Sequence, residues 1–191
     1  SLTRLMDHAI SNVACSPEWD VLQLLGSDRY GRSFLARRKK DGVHLTIRVL
    51  SDSLSRSRPY IQRCIDANRI APALKHPNVA PAVAFDEGEA RIRYVAERPE
   101  GIPLSQYLAQ NPPLAPEQAM ELMAQILRGL EFAASHKLLH GHLSPEMILV
   151  QGIAQRAVVL DFGLPYDPPA EYALSQQVDV GDVHYASPEQ L

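Results

Sequence analysis

His140-Gly141-His142-Leu143-Ser144-Pro145-Glu146-Met147-Ile148-Leu149-Val150, with Asp161-Phe162-Gly163 a short way downstream, is the stretch on which the reading of this chain turns. The apolar runs at 148–150 and 158–160 each suit a short strand, and Asp161 leaves the second one for a turn that Gly163 ends. His140 and His142 stand two residues apart, as a metal pair could. No third or fourth ligand accompanies them, so His140 is expected to pack and hydrogen-bond instead. Beyond Gly163 the sequence is irregular and rich in Pro, Asp and Tyr.

Upstream lies a long helix at 116–136, with Pro116 at a first-turn position where its missing N–H costs nothing. Ala119, Leu122, Ile126, Leu130 and Ala133 form one face, with Met120, Met123 and Leu127 beside them. So broad an apolar surface fits a helix buried on more than one side. Residues 104–109 suit a turn or two of helix, and 99–103 read as a linker. Before the linker the pattern is strand-rich: strands from Trp19, across 32–38, at 43–50, 80–85 and 92–96, with one helix near 59–74 and a polar stretch at 51–58. In the third strand Val43, Leu45, Ile47 and Val49 share one face, and His44, Thr46 and Arg48 the other. Residues 2–13 suit a short amphipathic helix, broken at Ser16-Pro17.

The whole chain has 191 residues, 46% hydrophobic and 21% charged, enough for a packed core. Its 19 Lys and Arg against 22 Asp and Glu give a net charge of −3, which argues against a nucleic-acid or polybasic membrane binder. Arg37-Arg38-Lys39-Lys40 reads as a solvated hairpin tip. Cys15 and Cys64 form no disulfide framework or C-x-x-C site, and no apolar run would insert in a membrane. The expected setting is the cytosol, alone or as the cytosolic part of a larger protein. The first residue is not Met, which fits an excised piece of a longer chain.

Four signatures in order make a resemblance. Gly26-Ser27-Asp28-Arg29-Tyr30-Gly31, followed by Phe34 and Ala36, is similar to the glycine-rich phosphate loop of protein kinases, although such a strand–loop–strand also fits an ordinary hairpin. Thr46-Ile47-Arg48-Val49-Leu50 resembles A-I-K-V-L, and the stretch from His140 resembles H-R-D-L-K-P-E-N-I-L-V. Asp161-Phe162-Gly163 stands as D-F-G, and Ala186-Ser187-Pro188-Glu189 resembles A-P-E with one inserted serine. The likeness covers about 19–191 and is nearest the bacterial Ser/Thr kinase group. It implies an α+β, protein kinase-like bilobal fold: an extension at 1–18, a β-rich N-lobe with one main helix at 19–98, and a partial helical C-lobe at 99–191 that stops after the A-P-E-like motif.

The departures from the family pattern bear on function. Where the resemblance implies a catalytic aspartate stands His142, and for the metal-binding asparagine stands Met147, whose thioether is a poor ligand for Mg²⁺. Arg48 replaces the phosphate-holding lysine, Asp28 the middle glycine of the loop, and Gly141 the arginine that would receive an activation-loop phosphate. Counting back from His76, the partner glutamate of the strand lysine falls on Ala67, with Asp66 adjacent. Arg48 is expected to pair internally, with Asp161 or Asp66, or else to hold phosphate. Asp161 is either a residual Mg²⁺ ligand or a carboxylate capping its own turn. Gly26, Asp28, Gly31, Thr46, Arg48, Ala96, Glu97 and Asp161 would line a degenerate nucleotide cleft. The expectation is a pseudokinase acting as a regulatory or scaffolding domain, with no catalytic residue and no cofactor beyond weak ATP–Mg²⁺ binding. The alternatives are a nucleotide-binding switch or a divergent active kinase. Without the family's later helices, Leu122, Ile126 and Leu130 would be exposed, and a protein partner or a second copy is expected to cover them.

Overall fold

The computed structural model describes residues 16–28, 30–87, 92–111, 113–141 and 143–165. The expected helix at 2–13, Cys15, His142 and the A-P-E-like motif lie outside the described residues. Five antiparallel strands come first: β1 (Trp19–Asp28), β2 (Gly31–Arg38), β3 (His44–Leu50), β4 (Ala82–Glu87) and β5 (Ile92–Glu97), in sheet order β1-β2-β3-β5-β4. A smaller sheet joins β6 (Ile102–Pro103), β7 (Ile148–Gln151) and β8 (Arg156–Val159). The expected linker thus ends in a strand, Ile102 opposite Val150.

The helices are α1 (Asp52–Arg56), α2 (Arg58–Ile70), α3 (Leu104–Gln110) and α4 (Pro116–Ser135). The polar stretch at 51–58 is not all loop, because α1 buries Leu54 and thereby gains a reason to fold. Ser57 caps α2 by accepting from the Tyr60 N–H at 3.4 Å. The helix ends earlier than 74: Pro72 cannot supply the next N–H, and 71–73 tighten into a 3₁₀ turn. Pro81 likewise delays β4 to Ala82.

Alternation along β3 sorts its side chains. Leu45, Ile47 and Val49 join Trp19, Phe34, Ala36 and Val95 on one side of the sheet. Thr46 and Arg48 face the other, and both are buried. There the main core runs from α2 through Tyr94 and Ala96 to α4, β7, β8 and Phe162.

One expectation is overturned on α4. Leu122 and Ile126 are buried and Leu130 packs against the core, because this face lies on β8 and on the Asn78 segment. Gly129 marks the close approach, since a Cβ there would stand 2.8 Å from the Asn78 carbonyl. The outward apolar stripe is Met120, Met123 and Leu127, spaced three and four apart and 72%, 54% and 55% exposed.

Candidate functional site: the cleft between the sheet and the helical half

The β1–β2 turn is built around Asp28. Its Oδ1 accepts from the N–H groups of Tyr30 (2.8 Å) and Gly31 (3.1 Å), an aspartate turn that closes the loop on itself. Gly31 is required there, with φ +142° and a missing Cβ that would otherwise stand 2.0 Å from the Val49 carbonyl. The other carboxylate oxygen, Oδ2, accepts from Arg48 Nη1 at 2.9 Å. Gly26 pairs with Ser33 beside a strand irregularity.

Arg48 is therefore paired, but with a residue other than the two expected. Asp66 is exposed and accepts from Gln62 and Arg69 on its own helix. Helix α2 turns Tyr60, Cys64 and Asn68 toward the interior instead. Burial works against the charge on Arg48. The carboxylates of Asp161 and Asp28 more than offset it, so its pKa lies above the ordinary arginine value.

Asp161 follows β8 with φ +62°, a left-handed backbone uncommon outside glycine. Its turn is closed by the main chain, Leu164 N–H to the Asp161 carbonyl at 3.3 Å, and Oδ1 is buried without a hydrogen bond. His140 behaves as expected, with Nε2 2.8 Å from the Leu160 carbonyl and its ring edge-on to Phe162. Gly141 has φ +75°. Met147 sits in the 3₁₀ turn before β7, where its carbonyl accepts the Leu160 N–H at 2.9 Å, next to Asp161.

Two features escaped the sequence reading, the fastening of Gly163 and the placement of Arg98. Asn68 Nδ2 donates to the Gly163 carbonyl at 2.6 Å, and the Gly163 N–H donates to the buried Tyr94 hydroxyl at 3.3 Å. Asn68 lies one residue past the Ala67 position and meets the main chain of Gly163. The second is Arg98. Its Nη1 reaches Thr46 Oγ1 at 3.4 Å across the cleft wall, and burial lowers its pKa despite the charge of Asp161.

The segment joining the two halves has no free N–H over 97–99. Glu97 N–H donates to the Pro81 carbonyl (2.9 Å), Arg98 N–H to the His44 carbonyl (2.8 Å), and Pro99 has none. The Glu97 side chain accepts from Arg38 at 3.1 Å, while Ala96 is buried opposite Thr46. Arg38 also binds Asp41, and Lys39 binds Asp20, so the basic hairpin run is partly self-neutralised.

These residues do not fit ATP–Mg²⁺. A purine would find no free main-chain donor at 97–99, and polyphosphate would meet the Asp28 carboxylate already on Arg48. Among the described residues no three His, Cys, Asp or Glu side chains are grouped to hold a metal. Among the described residues, the unpartnered Asp161 Oδ1 is the oxygen that suits one.

Comparisons with known proteins agree with the fold. The protein kinase domain model matches residues 19–191. Serine/threonine-protein kinase PrkC of Bacillus subtilis is 26% identical over 175 residues, 92% of this chain and 27% of its own length. Serine/threonine-protein kinase pkn2 of Myxococcus xanthus is 31% identical over 175 residues, 89% of this chain and 21% of its own. The chain thus spans about a fifth to a quarter of these relatives. The crystal structure of the M. tuberculosis PknI kinase domain superposes with a TM-score of 0.68 at 22% identity, over 89% of this chain and 69% of that one. Glycine loop, β3 arginine, catalytic-loop frame and D-F-G turn stand in one cleft in the family's order, and the chain belongs to the protein kinase family, as a relative of the bacterial Ser/Thr kinases.

Proposed function

We propose that this chain is a pseudokinase: a kinase-fold module that transfers no phosphoryl group and works in signalling as a regulatory or scaffolding partner of other proteins, in the cytosol. Phosphoryl transfer in this fold is positioning plus charge stabilisation by two metal ions, a base and a cation on the phosphates. The observation that carries the reading is the Met147–Leu160 main-chain bond, which sets the backbone of residue 147 next to Asp161, and the residue there is a methionine, a poor ligand for a hard metal. With His142, Gly141 and Arg48 at the family's other key positions, no single replacement restores the set.

The contact surface we assign to this function is the α4 stripe of Met120, Met123 and Leu127, with a second copy of the chain as its occupant.

The test is phosphate incorporation from ATP with Mg²⁺ or Mn²⁺, into the chain itself and into generic Ser/Thr substrates. None is expected, and the double change His142→Asp with Met147→Asn is not expected to create it, since Arg48 and Asp28 remain. Robust transfer by the unaltered chain would favour a second reading, an ATP-dependent Ser/Thr kinase. The likeness to relatives named serine/threonine-protein kinases and the unpartnered Asp161 Oδ1 support that reading. ATP binding without transfer would instead favour a nucleotide-binding switch.

A further inference from the structure

We propose that Asp28 is a built-in ligand of the Arg48 anion subsite, so that the cleft excludes phosphate-bearing molecules because its own loop carboxylate already holds the cation. The inference deepens the reading above and rests on it. It says what fills the cleft of a kinase fold that does not use nucleotide.

The two oxygens of Asp28 are divided between two tasks. Oδ1 takes two loop N–H groups and Oδ2 takes Arg48 Nη1. The Arg48 side chain is only 5% exposed, so its charge requires a counterion; Asp161 and Asp28 both act on it, and Asp28, 33% exposed, is the one that hydrogen-bonds it. The engagement is single-point, because Arg48 Nε is buried with no hydrogen-bond partner. Asp28 holds Arg48 Nη1, the donor that an anion entering the cleft would otherwise take. Asp28 therefore acts as plug and turn-former at once. Removing its charge while keeping its turn separates the two roles.

Asp28→Asn does this, since the amide oxygen still accepts from Tyr30 and Gly31. Inorganic pyrophosphate and ADP, both without metal, are titrated by calorimetry into the full chain, its D28N variant and the D28N/R48Q double variant, with adenosine as an uncharged control. D28N is expected to bind pyrophosphate and ADP at least about tenfold more tightly than the parent, with the gain lost in D28N/R48Q and absent for adenosine. Equal affinities in parent and D28N, or a gain that survives R48Q, would overturn the proposal. If D28N does not fold, Asp28→Gly, which restores the family's residue, is read by the same criteria. Failure here is distinguishable from failure of the functional reading, which is decided by phosphate transfer in the unaltered chain.

Discussion

Gly163 has no room for a side chain: a Cβ would lie 2.3 Å from Tyr94 Cε2 and 2.7 Å from Asn68 Oδ1, both held by their own packing. Gly163→Ala is expected to destabilise the fold by about 1–3 kcal/mol, read as a lower midpoint in urea. A milder change at Tyr94 tests the same junction. Tyr94→Phe removes the acceptor of the Gly163 N–H and should cost about 1–3 kcal/mol, because that donor is buried. His76 gives a pH signature. Burial and the nearby Arg128 hold its pKa below the ordinary 6.5, and its Nδ1 accepts the Asn78 N–H at 3.1 Å. The unfolded chain therefore takes up the proton first, and the contribution of neutral His76, complete above about pH 6.5, is lost as pH falls through the lower folded-state value. The melting temperature of the parent should drop more than that of His76→Gln between pH 7 and pH 5. Identical slopes would remove His76 from the account.

At the scale of elements, Asn78 and Gln125 fasten α4 to β8. Asn78 Nδ2 donates to the Ala157 carbonyl (2.7 Å) and to Gln125 Oε1 (3.3 Å), which also accepts the Ala157 N–H (2.8 Å). Asn78→Ala leaves a buried carbonyl unpaired and should cost about 1–3 kcal/mol, with faster amide exchange along β8. No such clamp was legible in the sequence, since it depends on residues 47 and 79 positions apart meeting in the fold. The elements themselves were legible, because alternation in β3 and the apolar faces of α4 follow backbone geometry. Their ends were not, wherever a proline at 72 or 81 acted through the hydrogen-bond ladder. For α4, both Leu122–Ile126 and Met120–Met123–Leu127 are apolar, and only the position of β8 chose which to bury. The candidate site divides in the same way. Motif order placed Arg48, Asp28 and Asp161 in one cleft. The partner of Arg48 was missed because it depends on how the loop folds back.

At the scale of the whole molecule, the described residues offer an outward apolar stripe on α4 and a cleft whose Arg48 is held by Asp28. No helix among the described residues is long and apolar enough to cross a membrane. The stripe predicts self-association. Light scattering should show a dimer, and Met123→Glu with Leu127→Glu should give a monomer with an unchanged circular dichroism spectrum. A monomeric parent would remove the second copy as occupant. A cleft that has given up nucleotide chemistry should ignore ATP and Mg²⁺, and titration of the full chain, by thermal shift and then calorimetry, reads this out. Ligand at ten times its Kd would add about 1.4 kcal/mol of stability, so even weak binding is visible. No saturable shift is expected at millimolar ATP. A Mg²⁺-dependent shift that disappears in Asp161→Ala would contradict this.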